Sequence, residues 1–291
     1  MYDIIIVGMG ISGITAAIYA KRSNKKVLLL DKGTIGGLLN VIDKVSNYPG
    51  LVDIRGVDFA TNLEEQVKNL NIEYKLEEVV DVDLKENVKK VITKNGTYEG
   101  KKIILAMGRS PKYLGLQNEQ ELIGRGVSTC ATCDAYFYKG ADIAVVGTGN
   151  SALQEALYLS NIVNHIYLLN RRDGFRGDEM LVEKVKGNSK IEIIYNVEIK
   201  TLESEKGMLK RVALTNDKII DVSGVFIYIG YRPATDFLPK CLLDEEGYVK
   251  INENYESSIK GVFAIGDVIK KDLYQLVTAA SDGANVIFKM K

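Results

Sequence analysis

Two cysteines, Cys130 and Cys133, are separated by two residues and followed directly by an acid, Asp134. Cysteines at this spacing can close a small disulfide ring, and thiol–disulfide exchange needs one thiolate that attacks and another that resolves. A neighbouring carboxyl group can give or take a proton. By itself, a CxxC is equally compatible with half of a zinc site or with a structural disulfide.

The rest of the chain contains few other residues that could bind a metal. Only Cys241 and His165 remain as soft ligands, and neither stands in a recognisable ligand spacing. Because a zinc site needs four such ligands, we predict that the protein has no metal site. We expect His165 to be a surface or packing residue, which leaves no histidine for a Ser-His or Cys-His hydrolase.

The composition is that of an ordinary globular protein of about two domains. The 291 residues include 38 basic and 38 acidic side chains, and this balance argues against partners that are nucleic acids or membrane surfaces. The apolar run Ile4–Val7 is too short for a signal sequence or a transmembrane helix. We therefore expect a cytoplasmic protein, in which a CxxC is more often catalytic or metal-binding than structural.

A glycine-rich turn near the start of the chain predicts a nucleotide site. The segment Gly8–Gly13 reads GMGISG between a predicted strand, Tyr2–Val7, and a predicted helix, Ile14–Arg22. The glycines allow a tight turn and a close approach of pyrophosphate to the helix N-terminus. Asp31 ends the next predicted strand, where a carboxylate can hold a ribose 2′-hydroxyl. This site suits an adenosine without a 2′-phosphate, as in FAD or NAD.

A second glycine-rich turn, GTGNSA at Gly147–Ala152, lies between a predicted strand, Asp142–Val146, and a predicted helix, Leu153–Ser160. The following strand, Ile166–Leu169, ends in Asn170 and then in arginines rather than an acid. Guanidinium groups bind a 2′-phosphate, so this site suits NADPH. The alternative is a solvated surface cluster. The arginines concerned are Arg171, Arg172 and Arg176.

The C-terminal region indicates a return to the first domain. Gly261–Asp267 is predicted to be a strand that ends in Gly-Asp ahead of a helix, Gln275–Lys289. The acid can hold a flavin ribityl hydroxyl, and the helix N-terminus can face the flavin ring. We predict an α/β fold with two Rossmann-like dinucleotide-binding domains. Residues 1–112 and 240–291 would form a discontinuous FAD domain, and the inserted residues 113–239 an NADPH-type domain that carries the CxxC.

Other elements follow from hydrophobic periodicity. Asp58–Leu70 is predicted to be an amphipathic helix, and a small β-meander is expected between Glu73 and Tyr98. A separate buried strand is expected at Lys102–Leu105. Later strands are predicted at Glu192–Tyr195, Arg211–Leu214, Ile219–Val222 and Val225–Ile229.

Taken together, these motifs resemble one family, the low-molecular-weight bacterial thioredoxin reductases, which are flavoprotein disulfide reductases. The resemblance covers nearly the whole chain. The matching segments are Gly8–Gly13, Asn47–Gly50, Cys130–Asp134, Gly147–Glu155, Arg171–Arg176, Gly261–Asp267 and Gln275–Gly283.

The resemblance implies a homodimer whose NADPH domain rotates, and which passes electrons from NADPH through FAD to the disulfide of a thioredoxin. It implies that Cys133 contacts the flavin, Cys130 attacks the partner disulfide and Asp134 is the acid or base. The residues expected to bind FAD are Gly8, Gly10, Ser12, Gly13, Asp31, Lys32, Gly37, Asn47, Ala106, Gly108, Asp267, Tyr274, Gln275 and Leu276. Those expected to bind NADPH are Gly147, Gly149, Asn150, Ser151, Arg171, Arg172 and Arg176.

Five positions depart from the family pattern. Asn170 stands where histidine is usual, Tyr274 where arginine is usual, and Thr148, Ala135 and Ser281 where glycine is usual. The first and third of these changes lie in the NADPH motifs. One hypothesis is that the ring of Tyr274 stacks on the isoalloxazine and obstructs the nicotinamide. The alternative is that this ring is exposed at the edge of the flavin.

Three alternatives to the NADPH-dependent enzyme stay open. Some clostridial relatives of this family take electrons from reduced ferredoxin, and ferredoxin is then a second partner. A flavin-binding redox sensor would need no electron donor, and a flavin reductase acting directly on small acceptors would not require Cys130.

Overall fold

The computed structural model of the protein describes residues 1–42, 44–85 and 87–290. Within these ranges the chain forms two compact units. The first unit combines Met1–Ser110 with Arg232–Lys291, and the second is Pro111–Tyr231. The last residue of the predicted segment 240–291 lies outside the described residues. The chain returns to the first unit at Arg232 rather than at 240.

Strands outnumber helices in the described part of the chain. The strands are β1 (Tyr2–Val7), β2 (Val27–Asp31), β3 (Lys44–Val45), β4 (Ile54–Arg55), β5 (Glu73–Leu76), β6 (Val79–Asp83), β7 (Lys89–Thr93), β8 (Thr97–Leu105), β9 (Arg109–Pro111), β10 (Val127–Ser128), β11 (Asp142–Val146), β12 (His165–Asn170), β13 (Ile191–Tyr195), β14 (Ile199–Glu205), β15 (Met208–Leu214), β16 (Ile219–Asp221), β17 (Gly224–Ile227), β18 (Tyr231–Pro233) and β19 (Val262–Ala264). The α-helices are α1 (Ile11–Arg22), α2 (Gly56–Asn69), α3 (Ala131–Asp134), α4 (Asn150–Ser160), α5 (Glu179–Lys186) and α6 (Leu276–Lys289). Short 3₁₀ helices occupy Gly37–Val41, Ala135–Tyr138, Lys240–Leu242 and Gly266–Val268.

The first unit is built on a sheet in the order β5-β2-β1-β8-β7-β6, with β19 paired to β8. Strands β5, β2, β1, β8 and β19 run parallel. Both faces of β1 are covered, since Ile4 and Ile6 pack into one apolar cluster and Ile5 and Val7 into the other. This alternation explains why β1 is a continuous apolar run.

One predicted boundary in this sheet is wrong. Lys102–Leu105 is not a separate strand but the buried end of β8, which begins at Thr97. The first half of β8 pairs with β7 in the meander, and its second half pairs with β1. The exposed, polar half and the apolar half have different patterns, and this difference makes one strand resemble two in the sequence.

The second unit contains a parallel sheet in the order β10-β17-β11-β12-β13 and an antiparallel sheet, β14-β15-β16. Strand β11 is covered on both faces, with Ala144 and Val146 in one apolar cluster and Ile143 and Val145 in the other. Each unit thus has a central strand with parallel neighbours on both sides, followed by a glycine turn and a helix. The predicted α/β fold with two Rossmann-like units is confirmed.

Candidate redox and nucleotide sites

Cys130 and Cys133 form a disulfide with a Cα–Cα distance of 5.4 Å. Cys130 precedes α3 as its N-cap residue, and the backbone N–H of Cys133 donates to Cys130 Sγ over 3.1 Å. Cys133 is exposed and Cys130 is half-buried. The sulfur pair therefore lies at the surface of the second unit, where a protein substrate can reach it.

A buried serine links the redox pair to its acid. Ser128 Oγ donates to Asp134 Oδ2 over 2.6 Å and accepts from the backbone N–H of Cys130 over 3.0 Å. Ser128 is only 4% exposed, which keeps water from replacing these bonds. The sequence prediction missed Ser128, although its position two residues before Cys130 was a local signal for it.

Tyr228 was also missed. Among the described residues, its buried hydroxyl has no hydrogen-bond partner of ordinary geometry. Burial, and then the negative charge of Glu155, raise the pKa of Tyr228, while the nearby Ala131 amide lowers it. The phenol of Tyr228 is therefore neutral, and it lies near Ala131, the residue that follows Cys130.

Two aromatic residues lie a few positions after the disulfide in the chain. Tyr136 is 72% exposed and Phe137 is 85% exposed, on the short 3₁₀ helix after Asp134. Exposed rings of this size next to a reactive disulfide form an apolar surface that fits a protein partner better than a small solute.

The first glycine turn has the shape that a pyrophosphate requires. A Cβ at Gly8, where φ is +110°, would lie 2.2 Å from Ala106 O, and one at Gly13 would lie 2.0 Å from Gly8 O. Gly10, in contrast, has open space beyond its Cα. Gly10 is the N-cap residue of α1 and makes no side-chain cap hydrogen bond, so the N–H groups of the first turn stay available to an anion.

Several other residues expected to bind FAD surround this turn. Asp31 ends β2, and its Oδ2 accepts from the Met9 N–H over 2.7 Å. Gly37 lies so close that its Cβ would be 3.1 Å from Gly10 Cα. Ser12 is on α1, and a Cβ at Gly266 would lie 2.4 Å from its Oγ atom. Lys32 is exposed just after β2.

The residues around α6 join the same unit. Asn47 Nδ2 donates to Gln275 Oε1 over 2.9 Å, so the structure brings together two side chains that are far apart in sequence. Gln275 caps α6, and Leu276 is the first residue of that helix. Ala106 and Gly108 follow β8, with the Ala106 N–H donating to Val7 O over 2.7 Å.

Asp267 follows β19 and forms a largely buried ion pair with Arg109. The Arg109 Nη2 lies 3.1 Å from Asp267 Oδ2. Within the described part of the chain, the other oxygen, Oδ1, is buried and has no hydrogen-bond partner. A buried acceptor without a partner is unfavourable by about 1–3 kcal/mol, and a ligand hydroxyl would satisfy it. Together with the open space at Gly10, this fits FAD.

The second glycine turn, between β11 and α4, has the same character. Gly149 has open space beyond its Cα, whereas a Cβ at Gly147 would lie 2.4 Å from Tyr228 O. The side chain of Asn150 is held by Asp178, with Nδ2 donating to Oδ2 over 2.8 Å. Ser151 is exposed in the first turn of α4.

Residues 171–177 form a loop that contains Arg171, Arg172 and Arg176, here called the arginine loop. Hydrogen bonds attach this loop to the second glycine turn. Thr148 O accepts from the backbone N–H groups of Arg176 and Gly177 over 2.8 and 3.1 Å. Asn170 is fully buried and organises the loop, since its Oδ1 accepts from the Arg172 N–H over 2.9 Å and its Nδ2 donates to Gly174 O over 3.1 Å. The departure at Asn170 thus has a structural role in holding the loop, because its side chain makes the contacts. The contacts of Thr148 come from its backbone carbonyl, which a glycine would also supply.

The three arginine side chains are exposed, and none has an ion-pair partner among the residues that the structure describes. Arg176 is adjacent to the glycine turn, and Arg171 and Arg172 follow β12. Unpaired guanidinium groups beside an open glycine turn fit the adenosine 2′-phosphate of NADPH.

Two kinds of feature are absent from the described ranges. They contain no group of three or more His, Cys, Asp or Glu side chains arranged to hold a metal ion. None of their helices combines the length and apolar character that crossing a membrane requires.

Comparison with known proteins identifies the class. Residues 2–284 match the family described as pyridine nucleotide-disulphide oxidoreductase, and the chain belongs to this family. It is 38% identical over 290 residues to a thioredoxin reductase from Mycolicibacterium smegmatis, covering 97% of this chain and 93% of the relative. A thioredoxin reductase from Bacillus subtilis is 35% identical and is covered to 92% of its length, against 98% of this chain.

A solved structure agrees with these relatives. The crystal structure of Lactococcus lactis thioredoxin reductase superposes with a TM-score of 0.90 at 32% identity, covering 99% of this chain and 97% of that one. The predicted oxidoreductase of the thioredoxin reductase type is therefore confirmed. A ferredoxin-flavin thioredoxin reductase from Clostridium acetobutylicum is a more distant structural neighbour, with a TM-score of 0.54 at 29% identity over 99% of this chain and 95% of that one.

Proposed function

We propose that the protein transfers electrons from NADPH through FAD to the Cys130–Cys133 pair, and from this pair to the disulfide of a thioredoxin-like protein. The observation that carries this proposal is the surface disulfide, which lies beside the linked Ser128 and Asp134 side chains. When bound, FAD supplies the chemistry that joins a hydride donor to a disulfide.

The first unit is proposed to hold FAD. Gly8, Gly10 and Gly13 would surround its pyrophosphate, and Asp31 and Asp267 would accept from its hydroxyl groups. The other proposed contacts come from the same unit. They are Ser12, Lys32, Gly37, Asn47, Ala106, Gly108, Tyr274, Gln275 and Leu276.

The second unit is proposed to hold NADPH. Gly147, Gly149, Asn150 and Ser151 would surround its pyrophosphate at the N-terminus of α4. Its 2′-phosphate would pair with guanidinium groups of the arginine loop. These groups belong to Arg171, Arg172 and Arg176.

The exchange step follows from the residues of the redox pair. Asp134 takes the proton of the Cys130 thiol, and the resulting thiolate attacks the partner disulfide and forms a mixed disulfide. The partner thiolate displaced by this attack takes the same proton from Asp134. The Cys133 thiolate then attacks Cys130 Sγ and displaces the second partner thiolate. The partner gains two electrons, and the Cys130–Cys133 disulfide forms again.

The proposed partner is a thioredoxin-like protein rather than a small disulfide. The exposed rings of Tyr136 and Phe137 support a protein partner, because they extend the apolar surface beyond the sulfur pair. The zero net charge supports neither nucleic acid nor membrane surfaces as partners. On the strength of the family resemblance, we further propose a homodimer in the cytoplasm.

An anaerobic two-step experiment tests this function. Mixing the FAD-loaded protein with NADPH is expected to bleach the flavin absorbance band at about 450 nm. Oxidised thioredoxin is then expected to restore this absorbance. Cys130→Ser is expected to abolish reduction of thioredoxin, and Cys241→Ser, which changes an exposed free thiol, serves as the matched control.

Two outcomes would count against the proposal. Bleaching by reduced ferredoxin but not by NADPH would show that the donor is wrongly assigned. Full turnover of thioredoxin by the Cys130→Ser variant would sink the disulfide-reductase mechanism.

A further inference from the structure

We propose that Arg109 is a positioning residue of the FAD site, which holds Asp267 so that one carboxylate oxygen stays available to a hydroxyl of the cofactor. This inference rests on the proposed FAD site in the first unit. It gives a role to a side chain that no nucleotide motif of the sequence includes.

Two nitrogens of the guanidinium reach the same carboxylate oxygen. Arg109 Nε lies 3.2 Å and Nη2 lies 3.1 Å from Asp267 Oδ2. The two side chains are only 20% and 18% exposed, so water does little to screen the pair. Because the carboxylate is held through Oδ2, its orientation is fixed while Oδ1 keeps its accepting capacity.

The nearby lysine does not satisfy Oδ1. Lys271 Nζ lies 3.9 Å from Asp267 Oδ1, which is beyond hydrogen-bond distance. It instead donates to Asp282 Oδ2 over 2.7 Å, and that same oxygen also accepts from the Gly266 N–H over 3.0 Å. The hydrogen bond of Lys271 therefore goes to Asp282, which also holds the backbone of Gly266 next to Asp267. Asp267 Oδ1 has no hydrogen-bond partner among the described residues.

An aromatic ring fixes the guanidinium from another side. The Arg109 Cζ atom lies 4.0 Å from the centroid of the Tyr274 ring, and Tyr248 stacks on Tyr274 with a centroid distance of 6.1 Å. Burial, and then a hydrogen bond with Tyr248, raise the pKa of Tyr274 to about 12, so the ring is neutral near pH 7.

This arrangement explains the departure at position 274. The resemblance leads us to expect an arginine there, and the structure has a tyrosine with the guanidinium of Arg109 against its ring. A planar guanidinium can stack on a ring while directing two N–H groups at one acceptor, which an ammonium group cannot do.

The test measures FAD binding by the full-length apoprotein, from the change in flavin fluorescence during titration. Arg109→Gln is expected to weaken FAD binding by about tenfold or more, because Asp267 loses the cation that orients it. Arg109→Lys keeps the charge but not the planar stack, and its affinity is expected to lie between those of the wild type and the Gln variant. Arg22→Gln, an exposed arginine in α1, removes the same charge and is expected to change nothing.

A double-variant cycle separates positioning from general destabilisation. Once Asp267 is replaced by Asn, the Arg109→Gln change is expected to add little further loss of affinity. Thermal unfolding of each apoprotein reports folding, and if Arg109→Gln does not fold, Arg109→Lys decides in the same cycle.

Wild-type affinity, within about twofold, in both Arg109 variants would overturn the inference while leaving the proposed function intact. Fully additive losses in the cycle would also overturn it. Failure of the wild-type apoprotein to bind FAD would instead overturn the proposed function itself.

Discussion

The hydroxyl of Ser128 connects two groups that must act together in thiol–disulfide exchange. It donates a hydrogen bond to Asp134 and accepts one from the backbone N–H of Cys130, the residue that we propose attacks the partner disulfide. A carboxylate held this way keeps a fixed position relative to Cys130 Sγ. Proton transfer depends on such positions, because it requires hydrogen-bond distances between heavy atoms.

Replacing Ser128 with Ala is expected to slow the reduction of thioredoxin by about tenfold, since Asp134 is then free to rotate away. The measurement is a single-turnover reaction of the prereduced enzyme with oxidised thioredoxin over a range of pH. Ser128→Thr keeps the hydroxyl and is expected to recover most of the rate. Rates and pH profiles equal to those of the wild type in the Ala variant would contradict this role for the serine.

At this scale the sequence predicts what is local and misses what is distant. The two cysteines, the following acid and each glycine turn lie within a few residues, so their types and spacing indicate their chemistry. Arg109 and Asp267 are separated by 158 residues, and only the tertiary fold joins them. No periodicity or motif marks Arg109, because its role depends on where α6 and β19 lie in space.

At the scale of elements, the first nucleotide site depends on how closely α6 packs on α1. A Cβ at Gly283 would lie 2.4 Å from the carbonyl oxygen of Ser12, which belongs to the glycine turn. This carbonyl is backbone and cannot move without shifting α1. Close helix packing at this point therefore fixes the N-terminus of α1, where we propose that FAD binds.

We expect Gly283→Ala to destabilise the protein by about 1–3 kcal/mol, since overpacking outweighs the gain of about 1 kcal/mol in helix propensity. Chemical denaturation of the apoprotein measures this change, and a weaker affinity for FAD should accompany it. Ser281→Ala changes an exposed position on the same helix and is expected to stay within about 0.5 kcal/mol of the wild type. A Gly283→Ala variant as stable as the wild type would show that α1 and α6 can move apart freely.

Two elements that sequence patterns missed, α5 and β14, bury few of their residues. Helix α5 buries only Val185 completely, and β14 buries only Ile199 and Leu202. Charged residues fill most of their other positions, so they resemble loops. The strands that lead into the two glycine turns are mostly apolar, and their types were predicted correctly.

At the scale of the whole molecule, many tyrosines share one electrostatic feature. Burial is the largest cause of a raised pKa in each of them, and it raises the pKa values of Tyr2 and Tyr274 to about 12. The others that are shifted in the same direction are Tyr138, Tyr167, Tyr228 and Tyr255. They occur in both units, so their common effect bears on the stability of the whole chain.

This feature predicts that the protein loses stability in alkaline solution. In the unfolded chain these phenols ionise at about pH 10, whereas in the folded protein they keep their protons to a higher pH. Above about pH 10 the unfolded state therefore binds fewer protons, and the free energy of unfolding falls as the pH rises. The stabilisation is complete below about pH 10 and is lost as the pH passes through the pKa values that the phenols have in the folded protein.

Urea denaturation at about pH 9 and about pH 11 measures this loss of stability. The double variant Tyr2→Phe, Tyr274→Phe should lose less stability over this interval than the wild type, and Tyr19→Phe, on the exposed side of α1, is its matched control. An unchanged urea midpoint for the wild type between the two pH values would contradict the prediction, because six protected phenols cannot ionise on unfolding without lowering that midpoint.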